Sequence, residues 1–440
     1  MMESLLVANR GEIARRVIRT ARALGIRTIA VYSEADAELP FVREADESVL
    51  LGPANPAESY RNVEMILAAA QKTGAQAIHP GYGFLSENAD FARTVEANSL
   101  IWVGPPADAI TAMGDKINAR NLMAEAGVPV APGTSSPVDT VKEALAAAAE
   151  IGYPVMVKAS AGGGGMGMAP AGDPDALAAE YEKVRAFAQR TFGDDSVLIE
   201  KYFPRIRHVE VQILGLADGT VHALGERECS VQRRNQKLVE ESPSPGITHE
   251  VRSRMLAAAV RAGEAVGYRN AGTVECLYDP EGQDFYFLEM NTRLQVEHPV
   301  TEAVYGIDLV EAQLRIACGL PVDVPTAPIG HAIELRVNAE DPKRFLPGPG
   351  TITRWVEPGG VRVDAGYVNG NTVTPYYDSL MAKIIAYGDT RLEAIARAKA
   401  AVNDFEITGP KCNLPFFAEL LENKEFLSGD YDTAIVKRMR

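Results

Sequence analysis

Within the first hundred residues, short apolar runs alternate with stretches of helical period, and no other feature restricts the fold so narrowly. Residues 5–8 make a compact apolar run. Ile13, Val17, Ile18 and Ala21 then recur at helical spacing, and residues 28–32 form the next run. Residues 77–79 and 100–103 continue the series, with helical stretches such as 63–71 between them. Strands that alternate with helices assemble into a parallel, doubly wound sheet whose ligands sit at the strand carboxyl ends.

At 440 residues the chain is too long for one core, and its pattern changes twice. After residue 113, helices are expected at 116–126 and 140–151, a strand at 154–158, a helix at 174–190 and a strand at 197–201. Between 207 and 291 most segments alternate as antiparallel strands, interrupted by a helix at 250–266. From residue 331 strands return at 332–337, 352–356, 361–363 and 382–387, followed by helices at 392–405 and 415–421. The expected architecture is an α/β and α+β multidomain chain packed as one body. Its units are an N-terminal doubly wound domain (1–113), a central α+β domain (114–330) and a C-terminal domain (331–440).

Charge and cysteine usage narrow the function classes. Forty-four basic residues against 59 acidic ones leave a net charge of −15, which disfavours nucleic acid or an anionic membrane as the main partner. No run approaches the ~18 apolar residues of a membrane span. The N-terminus has neither the basic segment nor the cleavage site of a signal peptide. Cys229, Cys276, Cys318 and Cys412 are scattered, with no C-x-x-C pair. That excludes a disulfide scaffold or zinc knuckle and suits a reducing cytoplasm.

Residues 162–167 read Gly-Gly-Gly-Gly-Met-Gly and satisfy G-x-G-x-x-G, but no helix is expected before residue 174, so this is not a dinucleotide-binding turn. Four consecutive glycines cost chain entropy that a plain turn does not need. They read either as a flexible surface loop or, preferably, as a flap whose bare N–H groups close over a polyphosphate, with Lys158 charging the same phosphates. Farther on, a hairpin turning at Gly282 sets Glu275 opposite Glu289 and Leu277 opposite Phe287, with Asn291 on the same face. Opposed carboxylates destabilise a sheet unless a cation lies between them. Oxygen donors with no nearby His or Cys point to magnesium or manganese; the alternative is two solvated glutamates.

Arg293, Gln295 and Glu297, at i, i+2 and i+4, project together if their segment is extended. A guanidinium fork beside an amide suits a small planar anion and the carboxylate suits a general base, a plain Arg–Glu salt bridge being the alternative. The basic run Gln232-Arg233-Arg234-Asn235-Gln236-Lys237 is either a solvated face or an anion clamp, and Lys116 at a helix start is a further phosphate candidate. His298 reads as structural, and of the other histidines only His208 sits near a candidate site; His79, His222, His249 and His331 read as core or turn residues.

Together these residues resemble the biotin carboxylase subunit of acyl-CoA carboxylases, within the ATP-grasp superfamily. The resemblance spans essentially the whole chain. Its motifs are Ala8-Asn9-Arg10-Gly11-Glu12-Ile13, His79-Pro80-Gly81-Tyr82-Gly83-Phe84-Leu85-Ser86-Glu87-Asn88, the glycine flap, Glu289-Met290-Asn291-Thr292-Arg293-Leu294-Gln295-Val296-Glu297-His298, and Arg336-Val337-Asn338-Ala339-Glu340-Asp341-Pro342. It implies a central ATP-grasp domain with a lid near 131–203. It further implies that Lys116 and Lys158 bind ATP phosphates beneath Gly164 and Gly165. Glu200, Lys201 and Phe203 would border the adenine, the last two through backbone groups, with Met168 and Leu277 packing on it. His208 and Gln232 would lie along the nucleotide, and Glu275, Glu289 and Asn291 would hold Mg2+ or Mn2+. Arg293, Gln295 and the Val296 backbone would hold bicarbonate, with Glu297 as base and Lys237 on the carbonate or γ-phosphate. Arg336 would stabilise the biotin enolate, and Tyr82 would lie near the biotin ring.

The implied activity is ATP- and bicarbonate-dependent carboxylation of biotin through carboxyphosphate. No Ala-Met-Lys-Met-type segment that would accept biotin occurs, so the expected partners are a separate biotin carboxyl carrier protein and a carboxyltransferase, with a homodimer as the usual state of such relatives. Three positions depart from the family pattern: Met166 and Ala169 replace basic residues of the lid, and Asn235 replaces a histidine. Weaker lid closure or ATP affinity is expected from them. Competing readings are another ATP-grasp carboxylate ligase and a non-catalytic nucleotide-binding paralogue.

Overall fold

The computed structural model describes residues 1–160 and 166–440. The alternation of the first third builds a five-stranded, all-parallel sheet in the order Glu47–Gly52, Arg27–Ser33, Ser4–Val7, Ala77–His79, Ile101–Trp102. Its central strand serves two cores at once, because successive side chains point to opposite faces. Leu5 and Val7 pack with Ile13 and Val17 of the helix Gly11–Ala23, whereas Leu6 packs with Ile66 and Phe91 of helices on the other face. The edge strand Glu47–Gly52 is half exposed, with Glu47, Ser48 and Leu50 at the surface, and its apolar run is only Val49, Leu50 and Leu51.

An eight-stranded antiparallel sheet forms the body. It runs in the order Asp284–Asn291, Asn270–Asp279, Arg207–Gly215, Val221–Arg233, Gln236–Ser242, His331–Asn338, Leu380–Gly388, Arg362–Ala365. The sheet crosses from the central to the C-terminal unit without a break, pairing Glu240 with Glu334 and Leu335 with Val239. One apolar core likewise joins Leu5, Leu224, Leu294, Leu335 and Ile384. The strands Val221–Arg233 and Gln236–Ser242 are long and carry Glu226, Arg227, Glu228, Glu240 and Glu241 buried within them.

The lid is a separate packing unit. Strands Met168–Ala171, Val155–Ala159 and Val197–Lys201 form a three-stranded antiparallel sheet. Helices Val141–Ile151 and Pro174–Phe192 cover it, and Ala144, Val155, Val157, Leu177, Tyr181 and Ile199 form its own core. Met168–Ala171 contains Pro170 and so gives no strand signal; it occupies the sheet edge, where a missing N–H is tolerated. The strand expected at 352–356 is instead two short pieces in different two-stranded sheets, Gly350–Thr351 with Thr372–Val373 and Arg354–Val356 with Glu406–Thr408. Among the described residues no helix is long and apolar enough to cross a membrane.

Candidate active site

A cavity of about 1070 Å³ opens where the three units and the lid meet, and every described residue to which the resemblance gives a role lines it. Gly164 and Gly165 lie outside the described residues. The parallel sheet contributes the loops that follow two strand carboxyl ends, carrying Asn9 to Glu12 and Tyr82 to Phe84.

The lid sheet faces the cavity with every second residue. Met156 and Lys158 point in while Val155 and Val157 fill the lid core; Leu198 and Glu200 point in while Val197 and Ile199 do not. Lys158 forms an ion pair with Glu200. Lys201 directs its ammonium away, donating to the carbonyls of Gly152 (3.0 Å) and Tyr153 (3.1 Å), so its backbone is what borders the cavity. Phe203 stacks on Tyr286 with centroids 4.9 Å apart. Lys116 opens the helix Lys116–Glu125, whose capping Asp115 accepts the Asn118 N–H at 2.9 Å.

At the centre, Glu275 pairs with Glu289 as expected, but the hairpin differs from the uniform register read from the sequence. Its closing register sets Asp279 against Asp284, Leu277 against Tyr286 rather than Phe287, and Cys276 against Phe287. Continued unbroken, that register would bring Leu288 to Glu275. A bulge there inserts one unpaired residue, advancing the strand and setting Glu289 opposite Glu275.

The opposed pair does have an imidazole beside it, that of His208, the one histidine read as lying near a candidate site. The strand Arg207–Gly215 pairs beside Asn270–Asp279, which places His208 Nε2 2.9 Å from Glu275 Oε2. Lys237 Nζ sits in the middle and donates to Glu210 (2.5 Å), Glu297 (2.7 Å) and Glu275 (2.8 Å). Burial opposes the charge on Lys237, but these three carboxylates outweigh it and raise its pKa well above the ordinary lysine value. Glu289 is shifted upward, first by burial and then by the charge of Glu275 facing it. Two opposed carboxylates that repel each other, with the Asn291 amide bonded to Glu275 at 2.8 Å, make a mainly oxygen donor set that fits a hard divalent cation.

Beside this pair lies the anion fork. The segment 292–297 is irregular rather than extended, and Glu297 stands at the N-cap of the helix His298–Tyr305. Contacts with its surroundings, rather than strand alternation, make its side chains converge. Arg293 donates to Gln295 Oε1 (2.8 Å), Asn291 Oδ1 (3.0 Å) and Glu87 Oε2 (2.9 Å), and Glu87 also accepts the Thr292 N–H (3.1 Å). Gln295 in turn donates to Glu275 at 3.2 Å. Glu297 lies between Lys237 and Arg336, whose Nη2 is 2.9 Å from Glu297 Oε2 and 2.5 Å from Glu240 Oε1. Burial pushes Glu297 up, but Lys237, Arg336 and Arg227 outweigh it and hold the group well below the usual carboxylate range.

The basic run resolves into separate parts. Arg234 and Asn235, with φ of 49° and 65°, form a two-residue turn between paired Arg233 and Gln236; Arg233 stacks over Phe345, and Gln232 and Lys237 are buried. His298, fully buried with Nδ1 2.7 Å from the Gln295 carbonyl, is structural as expected.

Several residues of the site were not singled out. Glu87 and Glu12 lie inside quoted motifs and were legible there, whereas Glu210, Glu240 and Lys383 carry no local signal, since they meet the site only through sheet register.

Consecutive stretches of the chain match family models for the biotin carboxylase N-terminal domain (residues 1–110), the ATP-binding domain of the carbamoyl-phosphate synthase L chain (115–324) and the biotin carboxylase C-terminal domain (334–438). The chain is 50% identical to Biotin carboxylase 1 of Bacillus subtilis, covering 99% of this chain and 98% of that one. It is 50% identical to a biotin carboxylase of Haemophilus influenzae over 98% and 97% of the two chains. Among solved structures it resembles the biotin carboxylase–β,γ-ATP complex of Campylobacter jejuni (TM-score 0.94, 43% identity, 100% and 99% of the two chains covered). It also resembles the biotin carboxylase domain dimer of the Hydrogenobacter thermophilus 2-oxoglutarate carboxylase, in complex with MgADP, ADP and bicarbonate (TM-score 0.93, 44% identity, 100% and 98% covered).

Proposed function

The chain belongs to the biotin carboxylase family, and on that footing we propose that it carboxylates biotin borne on a separate carrier protein, with ATP and bicarbonate as co-substrates and carboxyphosphate as intermediate, the first half-reaction of an acyl-CoA carboxylase. One observation carries the reading: the opposed Glu275–Glu289 pair, the Arg293–Gln295 fork and the Lys237–Glu297–Arg336 chain converge in a single cavity.

Lys116 and Lys158 neutralise nucleotide phosphates beneath the flap that includes Gly164 and Gly165. Glu200, Lys201 and Phe203 border the base, Met168 and Leu277 pack on it, and His208 and Gln232 flank the nucleotide. Glu275, Glu289 and Asn291 hold magnesium or manganese, which supplies neutralisation of phosphate charge during phosphoryl transfer. Arg293, Gln295 and the Val296 backbone fix bicarbonate with one oxygen toward the γ-phosphoryl group. Glu297 accepts the bicarbonate proton. Before loading, cations keep Glu297 ionised but weakly basic; Lys237, by turning toward the arriving phosphates, leaves it one cation fewer and raises its basicity. Carboxyphosphate then separates into carbon dioxide and phosphate. The phosphate removes the proton of the biotin ureido nitrogen while Arg336 balances the enolate charge and Tyr82 packs near the ring. Flap closure keeps water from the intermediate.

The same reading assigns domain limits of 1–113, 114–330 (lid 131–203) and 331–440, a homodimeric state, a cytoplasmic setting, and a biotin carboxyl carrier protein and carboxyltransferase as partners. The lid's own core supports its treatment as a moving unit. The test is ADP release, which should require bicarbonate and rise with free biotin. Turnover indifferent to both would indicate another ATP-grasp carboxylate ligase, and no turnover a non-catalytic paralogue.

A further inference from the structure

We propose that Lys383 is a positioning residue for this reaction, holding the bicarbonate-binding segment through the Val296 carbonyl and the biotin-facing Tyr82 through Glu12. The inference rests on the roles given above to Val296 and Tyr82. Lys383 is fully buried on the strand Leu380–Gly388, in register between Arg336 on one side and Asp364 on the other. Its Nζ donates to Val296 O at 2.9 Å and lies 3.1 Å from Glu12 Oε2, and the other oxygen of Glu12 accepts from the Tyr82 hydroxyl. One ammonium of the C-terminal unit therefore grips the irregular segment of the central unit and the first helix of the N-terminal unit.

A packing role does not explain the lysine. Burying an ammonium is costly where an apolar chain of similar length would fill the space. Lys383 also stands directly across from Arg336, and like charges in opposed positions disfavour a sheet. Asp364 is already held by Arg362 at 2.6 Å, so it does not account for the lysine either. What the charge does achieve is a strong hydrogen bond to a carbonyl in a segment, 292–297, that lies outside any helix or strand.

The test compares KM values of Lys383→Met, Glu12→Gln and Gln295→Ala. Lys383→Met should raise KM for bicarbonate and for free biotin, each on the order of tenfold, and leave KM for ATP near the wild-type value. Glu12→Gln, which keeps the Lys383–Val296 bond, should raise KM for biotin alone. If Lys383→Met does not fold, the double variant Lys383→Met/Glu12→Gln, which removes the carboxylate nearest the lysine, is measured in its place. Unchanged bicarbonate and biotin KM in the folded variant, or an equal rise in all three, would overturn the proposal while Gln295→Ala still raises bicarbonate KM. If Gln295→Ala leaves bicarbonate KM unchanged, the bicarbonate site itself is misassigned and both readings fall.

Discussion

A buried carboxylate can act as a base only if cations keep it ionised and one of them can then withdraw. Glu297 meets both conditions, with Lys237 and Arg336 on its two oxygens. Glu297→Gln keeps one acceptor oxygen, turns its amide nitrogen toward the other cation, and cannot take up the bicarbonate proton at neutral pH. Bicarbonate-dependent ADP release should fall by about 10²–10⁴-fold with the fold intact, and undiminished turnover would remove Glu297 from the base role. Glu241 shows the same electrostatics in a structural setting. It accepts from Arg391 (2.6 and 2.9 Å) and from the Tyr431 hydroxyl (2.5 Å), and His331 Nε2 lies 2.6 Å away. Burial pushes its pKa up, but His331 and Arg391 outweigh burial and bring it from 4.5 to about 2. A depressed folded-state value contributes stability above the unfolded value, lost as pH falls toward the folded one. The contribution is about 3 kcal/mol at neutral pH. Urea unfolding should therefore find Glu241→Gln much less stable than the wild type near neutrality, and the gap should narrow steadily below about pH 4.5; a constant gap would show that the ionised carboxylate is not what matters.

Among the elements, the hairpins and the lid decide where charges fall. The bulge at Leu288 decides that Glu289, and not Leu288, meets Glu275. In the neighbouring hairpin, Asn235 stands where the departure from the family pattern was noted, at a positive φ that asparagine and glycine tolerate and β-branched residues do not. Asn235→Gly should hold the melting temperature, whereas Asn235→Val should cost about 1–2 kcal/mol in thermal or urea unfolding. If both variants melt alike, backbone conformation is not the constraint at that turn. Met166, 55% exposed at the cavity, leaves this part of the lid without a cation. Met166→Arg should lower KM for ATP several-fold, with the gain shrinking as salt is raised; a KM that does not move would mean that lid charge is irrelevant to nucleotide binding.

For the molecule as a whole, the units share one apolar core, and buried polar contacts fix how they meet across it. Arg10 donates to Asp36 at 2.6 and 2.8 Å and to the Tyr367 hydroxyl at 3.0 Å, and lies 4.4 Å over the Tyr377 ring, joining the parallel-sheet unit to the C-terminal one. Arg10→Met strands a buried carboxylate and should cost about 3–5 kcal/mol in urea unfolding, of which Arg10→Met/Asp36→Asn should recover a large part. Equal losses in single and double variants would place the cost in packing instead.

The amino-acid order by itself determined the parallel sheet and the opposed glutamates, because apolar period and residue spacing are local properties that survive in one dimension, while most of the residues expected around the cavity came from the resemblance of its motifs to the biotin carboxylases. It could not reach the bulge that corrects the Leu277 partner, the imidazole beside Glu275, the long charged strands or the grip of Lys383. Those depend on which strands lie side by side. A buried glutamate or lysine looks like a surface residue until the sheet supplies its counter-charge from a distant stretch of the chain, and only the closed tertiary structure brings those charges within a few ångströms of one another.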